Sequence, residues 1–143
     1  FTLIELVVVI VLLGILGVTA LGKFEDLSAD AADAATKGIA GELSSAASIN
    51  YAARLVNPSK GETIDSADCA HASTADAPGA ALDSLMATGS APTENLTYTF
   101  VAGNPTTINV EDFACTSGQS FTCSIVDSRG TSSGGTASII CTG

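Results

Sequence analysis

The sequence predicts an α+β protein, with one long N-terminal helix over about residues 1–56 whose C-terminal half packs on a four-stranded antiparallel sheet. Three observations predict it. Residues 1–22 carry a single charged side chain, Glu5, in an otherwise unbroken run of apolar or small residues. Residues 24–56 repeat apolar or small side chains every three or four positions. From Leu96 onward the pattern changes to short runs rich in Thr, Val, Ile and Phe, separated by turn residues.

A helix rises about 1.5 Å per residue, so the first stretch would extend roughly 33 Å, close to the thickness of a bilayer's hydrocarbon core. Such a run is buried in lipid, in other protein chains, or in each at different times. Glu5 is its informative residue. A carboxylate in an apolar spanning segment costs about 3 kcal/mol and is rarely there unpartnered. The next cation is Lys23, about 27 Å further along the helix, so the helix offers Glu5 no side-chain partner. The nearest positive group is the α-amine of Phe1, four residues back. It would pair with Glu5 of the same chain, or of a neighbouring copy lying alongside with an axial offset. A pair of that kind sets register, as a buried polar group does in a coiled coil.

Past residue 23 the apolar or small positions are 24, 27, 31, 34, 35, 39, 43, 46, 49, 53 and 56, the spacing of an amphipathic helix with one buried stripe. Leu27, Ile39, Leu43 and Ile49 are the residues expected to face the sheet. Glu25, Asp26, Asp30, Asp33, Lys37, Glu42, Ser45 and Arg54 fill the polar face, with Asp33 four residues ahead of Lys37 as a supporting pair. Asn57-Pro58 ends the helix, because the residue before a proline is pushed out of the α region. Residues 57–95 read as a long loop containing one short helix at 80–87. A loop of that length is functional or tied down. Strands are expected at 96–102, 107–115, 120–127 and 136–142, joined as a meander by short turns.

Cys69, Cys115, Cys123 and Cys141 lie beyond the apolar run, which places them in an oxidising space as disulfides. If the last two strands pair about a loop centred near 131–132, Cys123 falls opposite Cys141. Cys115 is then left for Cys69. A bridge from Cys115 to Cys123, with Cys69 joined to Cys141, is the rival arrangement, and four cysteines admit three pairings. Zinc is disfavoured, because no Cys-x-x-Cys occurs and the single histidine, His71, stands two residues from Cys69.

The chain has 143 residues, fifteen acids and five bases, for a net charge of −10. That length holds the apolar helix (1–23) and one head (24–143: helix 24–56, loop 57–95, sheet and cysteine region 96–143). The charge gives no footprint for nucleic acid, whose phosphates need clustered Lys and Arg. Its plain role is to keep surfaces soluble and apart. No catalytic constellation is found and no cofactor is expected. Glu25-Asp26 and Glu111-Asp112 are adjacent pairs that do not share a face. Asp65, Asp68 and Asp76 lack the spacing of a known calcium loop.

Phe1-Thr2-Leu3-Ile4-Glu5-Leu6, followed by a Val/Ile/Leu run, resembles the mature N-terminus of type IV pilins and related pseudopilins. The likeness is dense over residues 1–24. It continues through Phe24, Leu27, Ala31 and Ala-Ala-Ser-Ile-Asn-Tyr at 46–51, a segment similar to mannose-sensitive haemagglutinin-type pilins. In that family a prepilin peptidase cuts a basic leader just before the Phe, and the new amine is methylated. An uncleaved secretory signal would instead open on a basic region and lack the acid. The resemblance implies the pilin fold and a subunit held in the bacterial inner membrane. Assembly machinery then polymerises such a subunit through its apolar helix into an extracellular filament for adhesion, surface attachment or motility. Phe1 and Glu5 would be the assembly residues. Many relatives have a proline at position 22; here it is Gly22, and Gly14, Gly17 and Gly22 would let that part of the helix stretch or melt inside a fibre. Small residues also let helices approach closely. Two other readings remain open: a major pseudopilin of a type II secretion system, and a membrane-tethered periplasmic binding module using the 57–95 loop.

Overall fold

The computed structural model describes residues 1–65, 68–69, 80–89, 91–92, 94–104, 115–131 and 134–142. It contains helix α1 (Leu3–Val56), a short helix α2 (Ala80–Leu85) and strands β1 (Leu96–Asn104), β2 (Ser120–Asp127) and β3 (Gly135–Ile140). The class is α+β, as the sequence predicts. α1 is one uninterrupted helix of 54 residues, about 80 Å long at the standard rise. It ends one residue before Asn57-Pro58, and the Asn57 N–H closes the last turn on the Ala53 carbonyl at 2.9 Å. α2 falls inside the expected 80–87 segment and buries Leu82, with Met86 packed just beyond its end.

Among the described residues the sheet has three strands in the order β1-β2-β3, all antiparallel. The segment expected as a further strand, 107–115, lies outside the described residues except for Cys115. The expected meander order is corrected all the same. β1 pairs directly with β2, Leu96 opposite Asp127, and β3 occupies the other side of β2, so both flanks of β2 are taken. Alternate residues of β2 (Phe121, Cys123, Ile125, Asp127) point inward, the period-two pattern of a half-buried strand. Phe100 and Phe121 meet with ring centroids 6.0 Å apart.

The helix face against the sheet differs from the expected one. The buried positions of α1 are Ala32, Asp33, Thr36, Ala40, Leu43, Ala47 and Asn50. Of the four residues expected there, Leu43 is buried and Ile39 partly so, whereas Leu27 and Ile49 are 61% and 71% exposed. The reason is the close approach of β3. A Cβ on Gly135 would overlap the Thr36 carbonyl oxygen, and Ala40 Cβ stands beside the same spot. The Gly135 N–H donates to Thr36 Oγ1 at 3.1 Å. With backbone this near to backbone, the stripe beside Gly135 has room for Thr36 and Ala40 and little room for Leu or Ile.

Asp33, expected on the solvent face beside Lys37, is turned inward. Its carboxylate accepts the Thr131 N–H at 3.1 Å and also the Thr131 hydroxyl, holding the β2–β3 turn onto the helix. Asn50 does the same for the chain that follows α1: its amide donates to Glu62 O at 2.9 Å and accepts from Glu62 N–H at 2.8 Å. Gly61 makes that clasp possible, because it sits at φ +82° with its α-carbon against the Asn50 side chain. Thr142 completes it, its hydroxyl accepting from Ile64 N–H and donating to Glu62 O, each at 2.8 Å.

The disulfides are Cys69–Cys123 and Cys115–Cys141, with Cα–Cα distances of 5.7 and 6.0 Å. This corrects the expected Cys69–Cys115 and Cys123–Cys141 pairing. Cys123 stands opposite Ala137, so the hairpin is centred on Gly130 and not at 131–132. Cys141 is thereby carried past the end of β2, where its N–H donates to the Gln119 carbonyl at 2.8 Å. It lands beside Cys115, and Cys123 on the inner face of β2 is left to meet Cys69. In the chain-entropy picture, loops of these lengths contribute roughly 3–4 kcal/mol each.

Two outcomes follow from this packing. Gly135→Ala should lower the unfolding free energy by about 2 kcal/mol, read from chemical denaturation with disulfides intact, because the methyl must displace Thr36 backbone. Asp127 is buried and held by Arg129, whose Nη2 lies 2.7 Å from its Oδ2. Hydrogen bonds from Arg129 carry that carboxyl from the ordinary 3.8 down to about 2. A carboxyl that titrates lower when folded adds stability that is complete above about pH 4 and is lost as the pH falls through 2. Wild type and Arg129→Gln should therefore differ in urea midpoint at pH 7 and converge between pH 4 and pH 2; a gap that stays constant would count against the pair.

Candidate assembly surface

The first buried residue of α1 is Ala32; from Phe1 to Ala31 every residue is exposed except Ala20 and Ala29, which are partly covered. The helix therefore leaves the head as a bare stalk about 44 Å long. Over residues 3–22 its surface is Leu, Ile and Val on all sides, a stretch long and apolar enough to cross a membrane, and from Lys23 to Ala31 it also carries Lys23, Glu25, Asp26 and Asp30. Backbone groups cause no difficulty in such a setting, because the helix bonds them internally. Thr19 behaves the same way, its hydroxyl donating back to the carbonyls of Ile15 and Leu16 at 3.2 and 3.0 Å.

Glu5 does have a partner within its own helix, contrary to the sequence expectation. Thr2 is the N-cap, in extended backbone, and Thr2 and Glu5 form a capping box. Glu5 Oε2 accepts the Thr2 N–H at 2.7 Å and the Thr2 hydroxyl at 2.8 Å, while Thr2 Oγ1 accepts the Glu5 N–H at 3.4 Å. The Phe1 amine forms no ion pair with Glu5 within the single chain. The signal for the box was present as Thr-x-x-Glu at the start of the apolar run. Both Thr2 donors go to one carboxylate oxygen, so Glu5, which is exposed, has acceptor capacity left on Oε1.

Gly14, Gly17 and Gly22 lie in regular helix, and a Cβ on any of them would meet nothing within 4 Å. They are not required by packing in the single chain. Gly14 leaves a shallow apolar notch between Val11, Ile15, Val18 and Thr19. Farther along α1, Phe24, Leu27, Ile49, Leu55 and Val56 are also exposed. Of the calcium candidates, Asp68 accepts the Asp65 N–H at 2.8 Å, whereas Asp76 and His71 lie outside the described residues. Among the described residues no three His, Cys, Asp or Glu side chains come together in a way that would hold a metal.

Comparison of the chain with protein-family models, with curated proteins and with solved structures finds no match.

The capping box makes a direct prediction. Thr2→Val keeps the shape and removes the cap, so the first turn should lose about 1 kcal/mol. Amide exchange at Glu5 and Leu6 in detergent micelles should speed up by about fivefold, with exchange in the head unchanged.

Proposed function

We propose that this protein is the structural subunit of a type IV pilus: it is stored in the bacterial inner membrane by its stalk and assembled into an extracellular filament for attachment or motility. The observation that carries this reading is the bare apolar stretch at 3–22 with one acid near its tip, on a helix whose other half packs in a disulfide-tied head. An apolar surface of this extent needs a cover, and two covers are available to it, lipid and the stalks of other copies. Exchanging one for the other changes little in hydrophobic free energy, so the direction of the exchange rests on specific contacts.

Glu5 supplies such a contact. Its Oε1 has capacity for one more donor, and a processed Phe1 amine on a neighbouring stalk, displaced along the axis, carries both the donor and the opposite charge. In this mechanism the capping box is the resting state of Glu5 and the inter-subunit pair is its assembled state. Oε2 stays with Thr2 throughout. The exposed face from Phe24 to Val56 extends the same contact along the head, and Gly14, Gly17 and Gly22 leave the stalk able to adjust as copies close on one another. Prepilin peptidase and a pilus assembly machinery are the partners this requires.

The test is electron microscopy of material sheared from cells, together with mass analysis of the subunit's N-terminus. Filaments made of this chain and opening on a methylated Phe1 are expected. In Glu5→Val the head should fold and the protein should stay in the membrane fraction, with surface filaments reduced at least about tenfold, the loss of one buried charge-assisted contact. Normal filaments in that variant would remove Glu5 from the mechanism, and membrane-bound wild-type protein with no filaments would remove the pilus.

A further inference from the structure

The far end of α1 carries a second feature that filament assembly does not explain. Tyr51, Arg54, Leu55, Pro58, Ser117 and Thr142 line a cavity of about 130 Å³, room for a few waters at about 30 Å³ each. Its polar side chains are the donor-only guanidinium of Arg54 and the hydroxyls of Tyr51, Ser117 and Thr142. Arg54 makes one long bond, Nη1 to the Gly61 carbonyl at 3.4 Å, and its Nε–H is buried with no partner. Arg54 forms no ion pair among the described residues, in a chain where acids outnumber bases three to one. The Tyr51 and Ser117 hydroxyls make no hydrogen bond among the described residues. The Thr142 hydroxyl is already committed to Ile64 and Glu62. Leu55 and Pro58, both exposed, and the Tyr51 ring complete the lining, so the cavity opens on the surface.

A buried donor left unmade is costly, and the planar fork of a guanidinium matches the two oxygens of a carboxylate. We propose that this pocket is a carboxylate-binding site, with the Arg54 fork as its charged donor and the Tyr51 and Ser117 hydroxyls as neutral donors beside it. The carboxylate comes from one of two sources. One is an Asp or Glu side chain of a neighbouring copy, which rests on the filament reading. The other is a free small carboxylate such as an acidic sugar, which does not. In the first case the site joins one acidic head to the next.

The test uses the full chain labelled with ¹⁵N-arginine in detergent micelles, titrated with sodium acetate against a sodium chloride control. The Arg54 Nε–H resonance should shift saturably with acetate, and Arg129 should not. Arg54→Lys keeps the charge and loses the fork, so acetate binding followed at Tyr51 should weaken about tenfold; Ser117→Ala should weaken it about threefold. An Arg54 that serves only to complement the carbonyls at the end of α1 would lower stability on mutation and leave no saturable acetate response in the wild type. A response that does not saturate, or that chloride reproduces, overturns the site whether or not filaments form. In assembled filaments, an Arg54 resonance already shifted and insensitive to acetate assigns the ligand to a neighbouring copy, and one that still titrates assigns it to a free carboxylate.

Discussion

The head depends on one close approach, that of Gly135 to the carbonyl of Thr36. Once β3 lies this near to α1, the rest of the interior is constrained. Beside Gly135 the helix stripe must be small, so most of the core's bulk comes from Phe121, Ile125, Ile139 and Leu82, with Leu43 the one large residue of the stripe. The contact also sets the height of the β2–β3 turn on the helix, which brings Thr131 to Asp33. At the other end it fixes where Thr142 meets Glu62 and Ile64. Each of these clasps uses a polar side chain to satisfy backbone groups that loops would otherwise bury without partners.

The same helix serves as core element and as stalk, and its two halves follow opposite rules. In the head, the inner stripe is mostly small or polar with Leu43 as its one large residue, while Leu27, Ile49, Leu55 and Val56 are exposed. Over residues 3–22, large apolar residues point everywhere. A soluble domain seldom leaves this much apolar surface bare. The helix outlasts the head because nothing in the stalk's backbone asks for outside help: Thr2 and Glu5 close the first turn, Thr19 bonds backward, and the glycines stay helical.

The long helix, its end at Asn57-Pro58, α2 and the strands at 96, 120 and 136 were legible because each is written locally, in a period or a turn. The buried stripe was not, since ranking residues by size selects Leu27 and Ile49. The neighbour that would reverse the ranking is a glycine about a hundred residues away. The disulfides were missed for a related reason. A hairpin centre displaced by one or two residues changes which cysteines face each other, and only the pairing of β2 with β3 fixes it. At Glu5 the charge draws attention to an ionic partner, while the Thr-x-x-Glu pattern at the same place specifies a hydrogen-bonded one.

Because β3 is the strand laid directly on α1, the order of synthesis runs against the order of packing. The helix is made first and its principal partner comes last among the described elements, with a sequence separation near one hundred residues. Contacts this distant pay loop-closure entropy before they stabilise anything. Nearly the whole head must therefore be made before the interior can close. Cys123 is made before β3 can cover it, and Cys141 follows β3. Oxidation ahead of that closure would be free to join the wrong sulfurs, and the native pairing would then rest on late oxidation or on reshuffling of thiols.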